Sequence, residues 1–150
     1  MKKTLSILVL LALLTACNST VEFQKNCTIK NTSPDIIDTE NRQITYNNLD
    51  KVTKVEITRQ YQAKNDQGIT IINNIKEAMQ SYNNNLLKSK NIKIEITKDT
   101  EKEYKIIYYL DVQKLNNEEI KKFNLNKNSI KLFKNLNEPN KISLSSNWNL

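Results

Sequence analysis

Carboxylates are the side chains of this sequence that could carry out catalysis. The chain has no histidine, which excludes Ser-His, Cys-His and histidine–metal chemistry. Its one glycine, Gly68, cannot form a glycine-rich phosphate loop. Two carboxylates about 5–10 Å apart can hydrolyse a glycosidic bond without histidine. The candidates for such a pair are Asp50, Glu56, Glu77, Glu95 and Asp111. No pair stands out in the sequence, so we expect a protein that is not an enzyme.

A second acidic group, Asp99, Glu101 and Glu103, alternates along a predicted turn. Calcium sites need converging oxygen ligands and usually a glycine that lets the loop turn sharply. No glycine lies here, and neighbouring lysines neutralise the carboxylates. The pattern therefore predicts a solvated turn, and the sequence predicts neither a metal site nor a cofactor.

Arg59 lies on the apolar face of a predicted strand, between Ile57 and Tyr61. We expect its stem to pack on the strand and its guanidinium to stay in water; a buried ion pair is the alternative. Tyrosines and lysines also mix within residues 104–109. Stacking on nucleic-acid bases would need these rings on an exposed basic face. Core packing is the favoured interpretation, and we expect no nucleic-acid partner.

The amino-terminal segment combines a dilysine head, an apolar run over residues 5–14 and small residues before Cys17. These are the three parts of a secretory signal. A helix over residues 5–16 would span about 18 Å, much less than the ~30 Å hydrocarbon core of a bilayer. Leu14-Thr15-Ala16-Cys17 resembles the lipobox of bacterial lipoproteins. The resemblance implies a signal peptide over residues 1–16, a diacylglycerol on the Cys17 thiol and usually acylation of the new amino terminus.

The same resemblance implies a place in the cell envelope. Asn18 follows Cys17, whereas an Asp there would resemble the inner-membrane retention signal of Gram-negative lipoproteins. The resemblance implies the outer membrane of a Gram-negative cell, or the outer face of the plasma membrane of a Gram-positive cell. Removal of residues 1–16 lowers the net charge from +7 to +5, and this basic balance favours acidic partners: lipid headgroups, an acidic envelope polymer or an acidic protein. We therefore expect a non-catalytic binding, assembly or inhibitor module; an envelope hydrolase with a carboxylate pair is the alternative.

The elements that would position these residues begin after the signal. Residues 17–34 are rich in Asn, Ser and Thr without periodicity, so we expect a lipidated cysteine and a flexible tether, with Cys27 as a bystander. Residues 35–50 fit a helix or a strand and stay unassigned. Residues 35–150 are expected to form a single α+β domain, with a C-terminal tail from about residue 139.

Periodicity is clear from residue 52 onward. Alternating apolar residues predict a strand over residues 52–62, and a hairpin over residues 91–112. Between them runs an apolar stripe at helical spacing, made of Ile72, Ile75, Met79, Tyr82 and Leu86. A capped helix is predicted from Asn116, and a last strand over residues 129–136. The order βαββαβ predicts a small antiparallel sheet with helices on one face, and a ferredoxin-like topology is one arrangement that fits it.

Overall fold

The computed structural model describes residues 21–123 and residue 125. Within this part the chain forms one five-stranded antiparallel sheet in the order β1-β2-β3-β5-β4. The strands are β1 (Glu22–Thr32), β2 (Ile36–Asn47), β3 (Val52–Ala63), β4 (Ile92–Asp99) and β5 (Glu103–Asp111). The helices are α1 (Asp66–Leu86), a 3₁₀ turn (Val112–Lys114) and α2 (Asn117–Lys122). The predicted α+β class with an antiparallel sheet is confirmed.

Strands β2 and β3 form a hairpin at the centre of the sheet. Ile44 and Val55 lie opposite each other and are fully buried. The turn between the strands is closed by the Asn47 side chain, whose Oδ1 accepts hydrogen bonds from the backbone N–H groups of Leu49 and Lys51, both at 3.0 Å. Asp50 adopts the left-handed conformation there, with φ of 61°, which an Asp tolerates better than most residues. The unassigned residues 35–50 are therefore mainly strand.

Strand β1 lies where a flexible tether was predicted, so that part of the prediction is wrong. It pairs with β2 along its whole length, from Glu22 opposite Asn47 to Thr32 opposite Ile37. The backbone hydrogen bonds of this pairing do not require an apolar pattern, which is why the sequence shows no strand signal here. The folded domain consequently begins well before residue 35.

Helix α1 covers one face of the sheet. Asn65 caps it by accepting a hydrogen bond from the Gly68 N–H at 2.9 Å. The predicted stripe faces the sheet: Ile72, Met79 and Leu86 are buried, and its other two members pack against the core. Gly68 is required where the helix starts, because a Cβ at this position would collide with the carbonyl oxygen of Asp35.

The hairpin of β4 and β5 and the cap of α2 are also confirmed. The faces of β5 alternate, with four residues buried against α1 and the intervening ones half-buried on the other face. At α2, the Asn116 side chain accepts a hydrogen bond from the Glu119 N–H at 3.0 Å, and the Asn116 N–H donates to the Glu119 carboxylate at 2.8 Å. These two bonds form the capping box that the sequence predicts.

The topology contains the split βαβ part of a ferredoxin-like fold, because β5 lies between β3 and β4. The other side of β3 is occupied by β2, where a four-stranded ferredoxin-like sheet would place its last strand. The predicted strand over residues 129–136 and the tail from residue 139 lie outside the described residues. Phe123, just after α2, packs edge-on against Tyr108, so both helices lie on the same face of the sheet.

Candidate functional site

The face of the sheet opposite α1, here called the outer face, is not covered by a helix among the described residues. The pairing register places polar side chains on it from β1, β2 and β3, including Gln24, Gln43 and Thr58. Strand β5 adds Ile107 and Tyr109, which are half-buried. An antiparallel sheet commonly leaves one face in water in this way. The outer face is thus a continuous, mostly polar surface.

Two adjoining hollows lie on the outer face. One, of about 430 Å³, extends toward the start of β1 and contains Tyr109. The other, of about 320 Å³, lies over the middle of β1, β2 and β3 and is lined by amides and hydroxyls. Gln43 and Glu56 line both hollows. Together they form a shallow, extended depression rather than a deep cleft.

Tyr109 is the aromatic group of this depression. It lies opposite Glu56 of β3 and opposite Lys93 of β4. The Lys93 Nζ atom is 5.2 Å from the centre of its ring, within the range of a cation–π contact. Desolvation, together with the nearby Glu95 and Glu56 carboxylates, raises the pKa of the Tyr109 hydroxyl. The ring therefore carries a neutral hydroxyl between charged neighbours of both signs.

The five candidate catalytic carboxylates are dispersed. Glu56, Glu95 and Asp111 share the outer face. Asp50 lies in the β2–β3 turn, and Glu77 is exposed on α1. Glu56 and Asp111 are diagonal neighbours across β3 and β5, a relation that places Cα atoms about 7–8 Å apart.

The carboxylates of the outer face lie in open surroundings, and two of them form ion pairs with lysines. Asp111 forms an ion pair with Lys114 at 2.6 Å, and Glu95 forms one with Lys93 at 3.5 Å. A general acid of a glycosidase is normally kept protonated by an enclosed, apolar site. The outer face offers no such enclosure within the described residues.

In the acidic turn between β4 and β5, two of the three carboxylates have separate partners. Asp99 is 2.6 Å from Lys76 of α1, and Glu103 accepts a hydrogen bond from Gln60 at 2.7 Å. Glu101 is exposed. Across residues 21–123 and residue 125, no group of acidic or cysteine side chains could hold a metal ion.

Arg59 lies in a buried ion cluster, so its predicted position in water is wrong. Its Nε atom is 3.0 Å from Glu40, whose other carboxylate oxygen is 2.6 Å from the Nε of Arg42. The Glu40 side chain is only 7% exposed and that of Arg59 15%. Arg42 also donates a hydrogen bond to the Phe123 carbonyl at 3.3 Å. Both arginines of the chain therefore converge on one glutamate on the helix-covered face of the sheet.

Sequence reasoning missed this cluster because Glu40 and Arg42 occupy core-facing positions of β2 that normally carry apolar residues. A usable signal was present: both arginines of a lysine-rich chain stand on strand faces shared with isoleucines. Arginine suits a buried pair better than lysine, because its planar, weakly hydrated guanidinium can bind a carboxylate through several donors.

Further ionisable groups surround Arg59. Burial raises the pKa of Asp38, and the positive charge of Arg59 opposes this shift. Burial raises the pKa of Tyr61 and of Tyr82 to about 12 in each case. Tyr108 donates a buried hydrogen bond to Asn83 of α1 at 3.1 Å, and burial raises its pKa as well. The hydroxyl groups of this side of the sheet therefore stay neutral at physiological pH.

Core packing was predicted for the three tyrosines of β5, and it is confirmed for two of them. Tyr104 and Tyr108 are buried in the core, whereas Tyr109 lies on the outer face. Cys27, predicted to be a bystander in a tether, is instead buried in β1, opposite Arg42. An intermolecular disulfide through Cys27 would require this strand to open.

Comparison with known proteins bears on the amino-terminal segment. Residues 1–18 match the family model for the prokaryotic membrane lipoprotein lipid attachment site. No curated protein and no solved structure has significant similarity to the chain. The helices of the described part lack the length and the hydrophobicity that a transmembrane span requires. The match supports a bacterial lipoprotein that a lipid anchors to a membrane of the cell envelope, and the predicted lipobox is confirmed.

Proposed function

We propose that this membrane-anchored bacterial lipoprotein is a non-catalytic binding module that presents the outer face of its sheet to a partner in the envelope. Cys17, the only cysteine among the residues that match the lipid attachment site, is the proposed acceptor of the lipid. The observation that carries the proposal is the shape of the outer face. It is a shallow depression lined by amides, hydroxyls and charges of both signs.

A shallow, mixed surface supports binding better than hydrolysis. Hydrolysis by two carboxylates needs one of them to be protonated and both to flank an enclosed bond. Glu56 and Asp111 are the best-spaced candidates on the outer face, and Asp111 is engaged by Lys114. We accordingly propose that the protein has no catalytic activity of its own.

The proposed partner is an acidic polymer or an acidic protein of the envelope. Lys54 and Lys93 line the larger hollow together with Gln43 and Tyr109. Amide and lysine side chains can donate hydrogen bonds to carboxylates or phosphates, and the tyrosine ring provides apolar contact area. Through such contacts the module would assemble with the partner or inhibit it. We propose the outer membrane as the location in a Gram-negative cell, because Asn rather than Asp follows Cys17. In a Gram-positive cell the same lipid anchor would hold the protein on the outer face of the plasma membrane.

A substitution that fills the depression on the outer face tests the proposal. Gln43→Trp puts a neutral, bulky ring where the two hollows meet, without a change in net charge. The matched control is Asn74→Trp, at an exposed position of α1. Full-length lipoprotein in detergent should retain a partner from envelope extract with the wild type and the control, and lose it with Gln43→Trp. Equal retention by all three proteins would refute binding through the outer face.

Activity is checked with the same preparations. Wild-type protein should leave peptidoglycan and model glycosides intact during long incubation. Turnover that disappears with Glu56→Gln or Asp111→Asn would replace this proposal by a carboxylate hydrolase.

A further inference from the structure

Exposed apolar side chains are concentrated at one end of the domain. This end, here called the proximal end, contains the start of β1, the β2–β3 turn and the loop between α1 and β4. Four of the five large apolar side chains that are exposed among the described residues lie there. They are Val21 (53% exposed), Phe23 (45%), Leu49 (68%) and Leu87 (59%). Leu49 lies at the tip of a tight turn, where burial within the domain cannot explain an apolar residue.

Lysines accompany these apolar residues. Lys51 follows the turn, and Lys88 and Lys90 lie in the loop after α1; all three are exposed and form no ion pair with a described residue. The opposite end of the sheet contains the β1–β2 connection, the start of α1 and the β4–β5 turn. Its exposed side chains are charges of both signs, namely Asp66, Asp99 and Glu101 together with Lys64, Lys98 and Lys102. The two ends of the domain therefore differ in apolar exposure.

The chain that leads to Cys17 is short. Four residues separate Cys17 from Glu22, the first residue of β1. At the maximal reach of ~3.3–3.6 Å per residue, the Cα atoms of these two residues can be at most about 18 Å apart. The 12 residues of β3 span the sheet, a length of about 40 Å at ~3.3 Å per residue. A lipid on Cys17 thus keeps the proximal end near the bilayer, whereas the opposite end lies about 40 Å further along the sheet.

We propose that the proximal end docks on the surface of the bilayer. Phe23, Leu49 and Leu87 enter the interfacial region, and Lys51, Lys88 and Lys90 contact anionic lipid headgroups. Apolar side chains with flanking lysines are the features that bind such surfaces. This inference goes beyond the proposed binding function and rests only on its lipid anchor. It gives the anchored domain a defined orientation, with the outer face standing upright and accessible from the side.

Fluorescence quenching by brominated lipid tests the orientation. Full-length lipoprotein is reconstituted in vesicles of brominated phosphatidylethanolamine and an equal amount of phosphatidylglycerol. Every protein carries Trp148→Phe, and a single tryptophan is introduced by Leu49→Trp or Leu87→Trp. The matched control is Ile96→Trp, which replaces the fifth exposed apolar residue, away from the proximal end on β4. Gln62→Trp reports on the opposite end of β3.

We expect strong quenching at positions 49 and 87 and little at positions 96 and 62. Similar quenching at all four positions, or none at positions 49 and 87, would refute the docked orientation. Removal of the three lysines, as Lys51→Gln with Lys88→Gln and Lys90→Gln, should weaken surface contact about 100-fold, since each lysine near an anionic surface contributes ~1 kcal/mol. Unchanged quenching in this variant would refute the headgroup contacts.

Vesicle flotation of each protein separates this inference from its premise. A protein that does not float has no lipid anchor, and the docking proposal then fails with it. A protein that floats but shows no quenching at positions 49 and 87 keeps the anchor and refutes docking. Neither result depends on binding at the outer face, which the Gln43→Trp variant measures separately.

Discussion

Truncation of Glu40 should remove a large part of the free energy of unfolding of the domain. The Glu40 carboxylate receives both buried guanidinium groups, at 2.6 Å from Arg42 and 3.0 Å from Arg59. Glu40→Ala would leave these positive charges buried without their common partner. Removal of one member of a buried ion pair typically costs about 3–5 kcal/mol. Because a domain of this kind has a total unfolding free energy of about 5–15 kcal/mol, the loss is a large fraction of it.

Urea unfolding of the purified protein measures this loss. With a slope of about 1–3 kcal/mol per molar urea, the midpoint should fall by about 2 M in Glu40→Ala. Glu40→Gln keeps the shape and the hydrogen-bond acceptor but removes the charge, so its midpoint should lie between those of the wild type and Glu40→Ala. The control is Glu22→Ala, which breaks an exposed pair with Lys54 at 3.8 Å and should cost less than about 1 kcal/mol. Equal midpoints for Glu40→Ala and Glu22→Ala would refute the account of the buried cluster.

Four further predictions concern the anchor, the sheet and the buried ionisable groups. Cys17→Ser should abolish metabolic labelling by a fatty-acid analogue, and undiminished label on the mutant would exclude Cys17 as the acceptor. A chain that begins at residue 35 lacks β1, so its thermal midpoint should lie well below that of the complete mature chain; equal midpoints would mean that β1 contributes nothing. The pKa values of Tyr61 and Tyr82 are raised to about 12 in the folded state. The two neutral hydroxyls therefore contribute their full stabilisation below the unfolded pKa of about 10, and this contribution is lost as the pH rises toward 12. Tyrosinate absorbance should appear together with unfolding between these pH values, and not at a lower pH than unfolding. Burial raises the pKa of Asp38, so its charged form opposes folding, and Asp38→Asn should raise the urea midpoint slightly at pH 7; a lower midpoint would show that attraction to Arg59 outweighs desolvation.

The parts of the fold with strong local signals could be predicted from the sequence. The isoleucines of β4 alternate with polar residues, and the stripe of α1 has a regular helical spacing. The Asn116–Glu119 capping box lies within four residues, so its geometry depends on local chain alone. Such signals act over a few residues and need no knowledge of distant parts of the chain.

Strands β1 and β2 could not be predicted in the same way. Glu40 and Arg42 occupy core-facing positions of β2 and interrupt the apolar alternation that identifies a strand. Their burial is stabilised by Arg59 of β3, which is distant in sequence. Strand β1 depends in turn on pairing with β2. Because β2 lacks clear apolar alternation, neither strand could be identified from the sequence.

For the candidate site, the sequence predicts the strand face of each residue but not which residues become neighbours. Alternation alone places Glu56 and Asp111 on strand faces, but the strand order decides that β3 lies beside β5 and makes them neighbours. The same order brings Tyr109 between Glu56 and Lys93. Long-range pairing of this kind leaves no mark in one sequence, because many registers satisfy the same period of two.

Site-specific photo-crosslinking in living cells tests binding through the outer face most directly. A photoreactive amino acid replaces Gln43, where the two hollows meet, or Asn74 on the exposed side of α1 as a control. Irradiation of the lipid-anchored protein should give a discrete adduct with an envelope component from position 43 and none from position 74. Identical adducts from both positions, or no adduct from position 43 in cells that contain the anchored protein, would contradict a binding function for the outer face.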